Sequence, residues 1–283
     1  MKHIGKSYDK VDAKGILSGK PSYTGDFVPK DALIIKVLRS PHAQAKIKSI
    51  DTSKAKLIPG VEAIFTYEDV PNTRFTLAGQ TYPEPSAYDA LILDSVVRYV
   101  GDEVALVVAK DEATALKAMP LIKVEYEVQK PVLDLRTAMD HETVVHPEDD
   151  ILNHIPVGQD YKRNICVSYH KRVGDIEGEL AKCDYVVEGT YFDQATRQSA
   201  MEPFQSFGYI DHLGRIVIVS STQIVFHVRR HIARALGIPA SKIRVIKPRI
   251  GGGFGSKQTA CTELMTAFVT WKLQKPCYLL YEI

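Results

Sequence analysis

The sequence lacks a long apolar run, which bears on where the protein works. The first twenty residues, MKHIGKSYDKVDAKGILSGK, contain no apolar core of a secretion signal, and no later run approaches the length of a membrane span. We therefore expect a cytoplasmic protein without a membrane partner.

An excess of charge of either sign is also missing. The 283 residues include 36 lysines and arginines against 34 aspartates and glutamates, which leaves a formal net charge of +2. No basic block with interleaved aromatic residues occurs. There is thus no electrostatic case for binding nucleic acid or an anionic surface.

Cysteine is scarce, with four residues and no CxxC pair: Cys166, Cys183, Cys261 and Cys277. This spacing gives no ligand pattern for an iron–sulfur cluster or a structural zinc ion in this chain. It predicts four reduced, mostly buried thiols.

Two patterned regions are separated by a polar segment. Residues 1–133 alternate strand-like runs with one helix-like run, KDEATALKAM, for which Asp111 is the expected N-cap, and this indicates a compact α+β domain. Residues 134–160 contain two prolines and no lasting periodicity, so we interpret them as a linker. The linker holds three histidines whose spacing matches no metal-ligand pattern, and solvated loop histidines are expected at His141, His146 and His154.

Residues 161–283 predict an α/β half-domain. CDYVVEGTYF (183–192) indicates a strand, and DHLG (211–214) a hairpin turn between two further strands. IVFHVRRHIARALG is an amphipathic helix that we expect to end at Gly237. A strand, a glycine-rich loop, an apolar helix and a final strand follow.

The glycine-rich loop lies in KPRIGGGFGSKQTACTEL (247–264), where four glycines and Phe254 occupy five positions. Glycines let backbone N–H groups approach a ligand, and a helix starting directly after the loop would add donors for an anion. The stretch is not a P-loop, because Gln258 follows Lys257, and it contains no GxGxxG fingerprint. A glycine-rich tight turn is the alternative interpretation.

Two features favour a ligand site over a mere turn. A large aromatic side chain between glycines, Phe254, suits a wall over a planar ligand. VSSTQ places polar residues up to Gln223 at the end of an apolar strand, where α/β proteins bind ligands. A helix-cap role is the alternative for Gln223.

Four stretches together resemble the molybdenum hydroxylases, the xanthine dehydrogenase and aldehyde oxidase family. They are RSPHAQAKIKSIDTSKAKLIPGVEAIFTYEDVP, VRYVGDEVALVVAKDEATALKA, SSTQIVFHVRRHIARALGIP and RVIKPRIGGGFGSKQ. The likeness is greatest to the molybdenum-binding subunit of bacterial xanthine dehydrogenases, and it covers essentially the whole chain as the N-terminal part of that subunit. It implies an α/β hammerhead domain (1–133) and, after the linker, the first portion of a molybdopterin-binding α/β domain (161–283).

The resemblance also implies a chemistry. The family oxidises purines, related N-heterocycles or aldehydes with water as the oxygen source. It implies a molybdenum–molybdopterin cofactor, in its plain or cytosine dinucleotide form, and electron transfer to partner subunits that carry FAD and [2Fe–2S] clusters. A second molybdopterin-binding polypeptide is a further implied partner.

Residue roles are implied position by position. Gln223 would hydrogen-bond an oxygen ligand of the metal, and Phe254 would contribute main-chain contact to the oxygen ligands, with Gly253 and Gly255 permitting the approach. Gln258 stands where xanthine-oxidising relatives often carry an acidic residue, so it would contact substrate. Its neutral amide favours a heterocycle other than xanthine.

No residue of this chain matches the family's catalytic base, and Glu202 is interpreted as structural. The chain alone is therefore expected to be inactive, either as one part of a working hydroxylase or as a non-catalytic fragment. An aldehyde-oxidising relative is an alternative. A plain anion- or nucleotide-binding module built on the glycine loop is another.

Overall fold

The computed structural model describes residues 3–20, 22–78 and 81–282, which form ten strands and six α-helices. The strands are β1 (Leu33–Arg39), β2 (Ala45–Asp51), β3 (Val61–Phe65), β4 (Val96–Val97), β5 (Glu103–Ala109), β6 (Lys123–Val128), β7 (Gln205–Ile210), β8 (Ile216–Ser220), β9 (Ile243–Ile246) and β10 (Cys277–Leu280). The helices are α1 (Ala13–Leu17), α2 (Ser53–Lys56), α3 (Glu112–Ala118), α4 (Ile176–Leu180), α5 (Val225–Leu236) and α6 (Glu263–Leu273). Short 3₁₀ turns cover Thr24–Phe27, Met119–Leu121, Leu135–Thr137, Tyr161–Arg163, Ala240–Lys242 and Ser256–Gln258. None of the helices in this described part has the length and apolar content needed to cross a membrane.

One seven-stranded sheet runs through both patterned regions. Its order is β3-β5-β1-β10-β7-β8-β9, and a separate three-stranded sheet has the order β4-β2-β6. The two regions join where β1 pairs in parallel with β10, with Leu33 opposite Cys277. The last strand of the second region is thus inserted beside the first strand of the first region.

Local signals in the sequence explain several elements. The Asp111 side chain accepts a hydrogen bond from the Thr114 N–H at 2.7 Å, so it caps α3 as predicted. Between β7 and β8, the N–H of Gly214 donates to the carbonyl of Asp211 at 2.9 Å and closes the predicted hairpin turn. Helix α5 ends at Gly237, which has a φ of 65°.

Helices α5 and α6 pack on one face of the large sheet. Helix α5 buries Val228, Ile232 and Leu236, while α6 is apolar on nearly every side and is almost entirely buried. Both helices share one core with residues of β1, β5, β8 and β10. This packing fixes the edge of the sheet from which the glycine loop leaves.

The strand predicted at residues 183–192 is wrong, because this stretch forms no strand. Tyr185, Val187 and Tyr191 are 90%, 91% and 90% exposed. A strand is stabilised by hydrogen bonds to a neighbouring strand, and no described residue pairs with this stretch.

The prediction of mostly buried thiols is also wrong. All four cysteines are free, but only Cys277 is buried; Cys261 is half-buried, and Cys166 and Cys183 are exposed. Cys183 lies on the exposed stretch that was expected to pair as a strand.

The segment after residue 133 is tied to the first region by charged contacts. Arg74 Nε donates to Asp150 Oδ1 at 2.8 Å, and Arg98 forms an ion pair with Glu148. The Tyr88 N–H also donates to the Leu152 carbonyl at 2.9 Å. The bounds 1–133, 134–160 and 161–283 stay predictions.

Candidate functional site

The candidate site forms where two neighbouring parallel strands end. Strands β8 and β9 are parallel, so the loops that follow them leave the same edge of the sheet. The N–H of Gln223, after β8, donates to the carbonyl of Lys257, after β9, at 2.9 Å. A Cβ atom added to Gly253 would lie 2.5 Å from Gln223 Oε1. The structure therefore brings Gln223 and Gly253 into contact, although they are thirty residues apart.

The loop backbone adopts conformations that side chains disfavour. Gly252 and Gly255 have φ values of 102° and 89°, in the region open mainly to glycine. Phe254 also has a positive φ, 50°, which is uncommon for a large residue and indicates that its surroundings impose the conformation. Its side chain is 73% exposed, so the ring is open to a ligand.

The loop presents backbone donors that nothing else uses. Within the described ranges, the N–H groups of Gly252, Gly253, Phe254 and Gly255 form no hydrogen bond. Successive backbone N–H groups in a turn create a concave site for anionic oxygen. The Gln223 side chain, exposed beside Gly253, adds a neutral donor. These residues fit a group that carries oxygen ligands.

The helix predicted to begin directly after the loop does not do so. A 3₁₀ turn, Ser256–Gln258, follows the glycines, and α6 begins only at Glu263. The Glu263 carboxylate accepts the Cys261 N–H at 2.8 Å and the Ser220 hydroxyl at 2.6 Å. Complete burial raises the pKa of Glu263. The start of α6 is thus occupied by its own acidic residue and is unavailable to a bound anion.

Gln258 lies outside the α-helices, and Gln223 does not have the helix-cap role that was its alternative interpretation. Gln258 lies half-buried in the 3₁₀ turn, where its N–H donates to the Gly255 carbonyl at 3.1 Å, and it is not part of α6. Gln223 does not cap α5, because Ile224 is the N-cap and no side chain caps that helix. Both side chains remain candidates for ligand contact.

Glu202 lies next to the loop and has a structural environment. Its carboxylate is buried and accepts hydrogen bonds from the Gly251 N–H at 2.6 Å and from the Gln205 side chain at 2.8 Å. Lys257 is buried with it. The partnership of Lys257 with Glu202 was not predicted, since 55 residues separate them and lysine at that position was considered only as part of a P-loop.

A second buried polar cluster ties α5 to the segment before β4. Arg230 forms an ion pair with Glu84, and the Tyr88 hydroxyl donates to Glu84 at 2.8 Å. His231 Nε2 lies 3.6 Å from the same carboxylate. Burial, which disfavours the charged imidazolium, lowers the pKa of His231 from 6.5 to about 4. This cluster holds the helix that follows Gln223.

The three linker histidines do not converge. His146 lies 3.5 Å from Glu148 and 3.9 Å from Asp89, and His154 packs edge-on against Tyr88. Across the part of the chain that the structure describes, no group of three or more histidine, cysteine or acidic side chains could hold a metal ion.

Two family models match consecutive parts of the chain. Residues 18–130 match the α/β hammerhead domain of aldehyde oxidase and xanthine dehydrogenase, and residues 157–283 match the molybdopterin cofactor-binding domain. Their order confirms the predicted fold class.

Individual proteins are similar over nearly the whole chain. The probable hypoxanthine oxidase of Escherichia coli (strain K12) is 39% identical, with 98% of this chain and 32% of that protein covered. The nicotinate dehydrogenase large molybdopterin subunit of Eubacterium barkeri is 30% identical, with 96% and 60% covered. The solved aldehyde oxidoreductase from Desulfovibrio gigas superposes with a TM-score of 0.81 at 26% identity, with 98% and 30% covered. The chain thus spans about a third of the length of the hypoxanthine oxidase and of the solved structure.

Proposed function

Because the chain belongs to the aldehyde oxidase and xanthine dehydrogenase family of molybdenum hydroxylases, we propose that it is part of the molybdenum-cofactor-binding subunit of a xanthine dehydrogenase-like hydroxylase. The contact between Gln223 and Gly253 carries the proposal. It joins two sequence motifs at the end of β8 and β9, and both lie in the part that matches the molybdopterin cofactor-binding domain.

The proposed cofactor is molybdenum–molybdopterin, in its plain or cytosine dinucleotide form. When bound, it supplies two-electron oxidation of a substrate carbon with oxygen taken from water. The chain's own contribution is positional: the free N–H groups from Gly253 to Gly255 and the Gln223 amide donate hydrogen bonds to the oxygen ligands of the metal. Phe254 flanks the substrate with its exposed ring. No residue of this chain is assigned as the catalytic base.

The proposed substrate is a purine or a related N-heterocycle. The names of the E. coli and Eubacterium relatives refer to heterocycles, which supports this class. Gln258 offers a donor and an acceptor to a heterocycle edge but cannot take a proton from it at neutral pH. An aldehyde is the alternative substrate, and the likeness to the Desulfovibrio aldehyde oxidoreductase supports it.

The proposed partners are an FAD-binding subunit, a [2Fe–2S] subunit and a second molybdopterin-binding polypeptide. Two observations support the last of these. The apolar side chains of the stretch 183–192 are exposed, and none of the residues that the structure describes covers them. The Eubacterium relative is named as one subunit, and the covered shares indicate that its chain is about half as long as that of the E. coli relative. The proposed compartment is the cytoplasm, whose reducing conditions suit four free thiols.

The test is the molybdenum content of the chain purified from its native host together with its bound polypeptides. We expect about one molybdenum per chain, loss of most of it in Gln223→Ala, and retention in Gln194→Ala, which changes an exposed glutamine outside the candidate site. Turnover of hypoxanthine but not of an aldehyde would support the heterocycle assignment. Absence of molybdenum from the wild-type complex would overturn the proposed function.

A further inference from the structure

Glu202 and Lys257 form a buried ion pair beside the glycine loop. Their side chains are 7% and 2% exposed, and Lys257 Nζ lies 3.2 Å from Glu202 Oε2. Lys257 Nζ also donates to the Glu202 backbone carbonyl at 2.8 Å. Burial removes the hydration of both charged groups, which costs free energy. The further hydrogen bonds that each residue makes offset this cost.

Glu202 anchors the first end of the loop. Its Oε2 atom accepts the Gly251 N–H at 2.6 Å, and its own N–H donates to the Gly251 carbonyl at 3.1 Å. A Cβ atom on Gly251 would stand 2.5 Å from the Glu202 Cβ, so the approach requires glycine. The first end of the glycine loop is therefore held against the residues just before β7.

Lys257 anchors the second end. Its ammonium reaches Glu202, while its backbone carbonyl accepts the Gln223 N–H at 2.9 Å. The ion pair joins the residues before β7 to the loop after β9, and the backbone hydrogen bond of Lys257 joins the loop after β8 to both. The residues with free N–H groups lie between the two anchors.

We propose that Glu202 and Lys257 are positioning residues, whose ion pair sets the placement of the glycine loop against Gln223. Phe254 supports this role, because a non-glycine residue with a φ of 50° persists only where its surroundings fix the backbone. The inference rests on the proposed function only for the identity of the group toward which the donors point.

Hydrogen–deuterium exchange on the full chain tests the positioning without any cofactor. In Lys257→Met, we expect the peptides that hold the hydrogen-bonded amides of Gln223, Gly251 and Ser256 to exchange at least about tenfold faster at those amides, because the ends of the loop open more often without the ion pair. Lys36→Met is the matched control: Lys36 is also buried and has two carboxylate partners, but it forms no hydrogen bond or ion pair with Glu202, Gln223 or the described loop residues 251–257. We expect it to leave those peptides unchanged.

Lys257→Arg keeps the charge and should restore slow exchange. If Lys257→Met does not fold, Glu202→Gln is measured in the same way. Unchanged loop exchange, or equal acceleration in Lys36→Met, would overturn the positioning role. Faster loop exchange in Lys257→Met together with a wild-type complex free of molybdenum would keep the positioning role and reject the cofactor assignment, so the two proposals fail separately.

Discussion

Alanine substitutions at Gly253 and at Gly255 should have different effects: one should change the shape of the site, and the other should lower the stability of the fold. Gly255 has a φ of 89°, and a Cβ atom there would meet nothing within 4 Å. Gly255→Ala therefore adds backbone strain alone, worth about 1–2 kcal/mol for a non-glycine residue in the left-handed region. Gly253 lacks a positive φ, so its backbone accepts alanine.

The cost at Gly253 falls on Gln223 instead. The added Cβ would lie 2.5 Å from Gln223 Oε1 and 2.7 Å from its Cδ, so the end of this side chain must retreat by about 1 Å to reach ordinary contact. Gln223 is exposed and can move, so the free energy of unfolding should change by less than about 0.5 kcal/mol.

Urea unfolding and molybdenum content are the two assays. We expect Gly253→Ala to lose molybdenum while it keeps its unfolding midpoint, and Gly255→Ala to lower the midpoint. A Gly253→Ala chain that is less stable than Gly255→Ala, or that retains full molybdenum, would refute the reasoning about Gln223.

Two further predictions concern stability. The pKa of His231 is about 4 in the folded chain and about 6.5 in the unfolded chain, so the unfolded chain takes up a proton at a higher pH. The free energy of unfolding should therefore fall by roughly 3 kcal/mol as the pH drops from about 6.5 to about 4. Urea midpoints at pH 7 and pH 4.5 should show this loss in the wild type and less of it in His231→Gln; equal losses would contradict it. Asp111→Ala removes the cap of α3 and should lower the free energy of unfolding in urea by about 1 kcal/mol. Asp111→Ser should restore most of that free energy. An unchanged urea midpoint in the alanine variant would contradict the capping role.

The sequence predicts elements that depend on neighbouring residues. The cap at Asp111, the turn that ends at Gly214 and the helix end at Gly237 each require only a few adjacent positions. The stretch 183–192 has the residue types of a strand, but a strand also needs a partner to accept its hydrogen bonds. The pairing of β1 with β10 joins Leu33 to Cys277, a separation that period-two patterns do not encode.

The candidate site, too, is predictable only in part from the sequence. A strand–helix–strand unit makes β8 and β9 parallel, so the loops holding Gln223 and the glycines must leave one edge of the sheet. The hairpin makes β7 antiparallel to β8, with Ser206 opposite Ser220, so the chain just before β7 must lie beside the chain just after β8. Topology alone therefore places Glu202 near Gln223. The pairing of Glu202 with Lys257 depends on side-chain packing in an interior without water, where an unpaired carboxylate would cost free energy. Only the three-dimensional structure reveals this pairing.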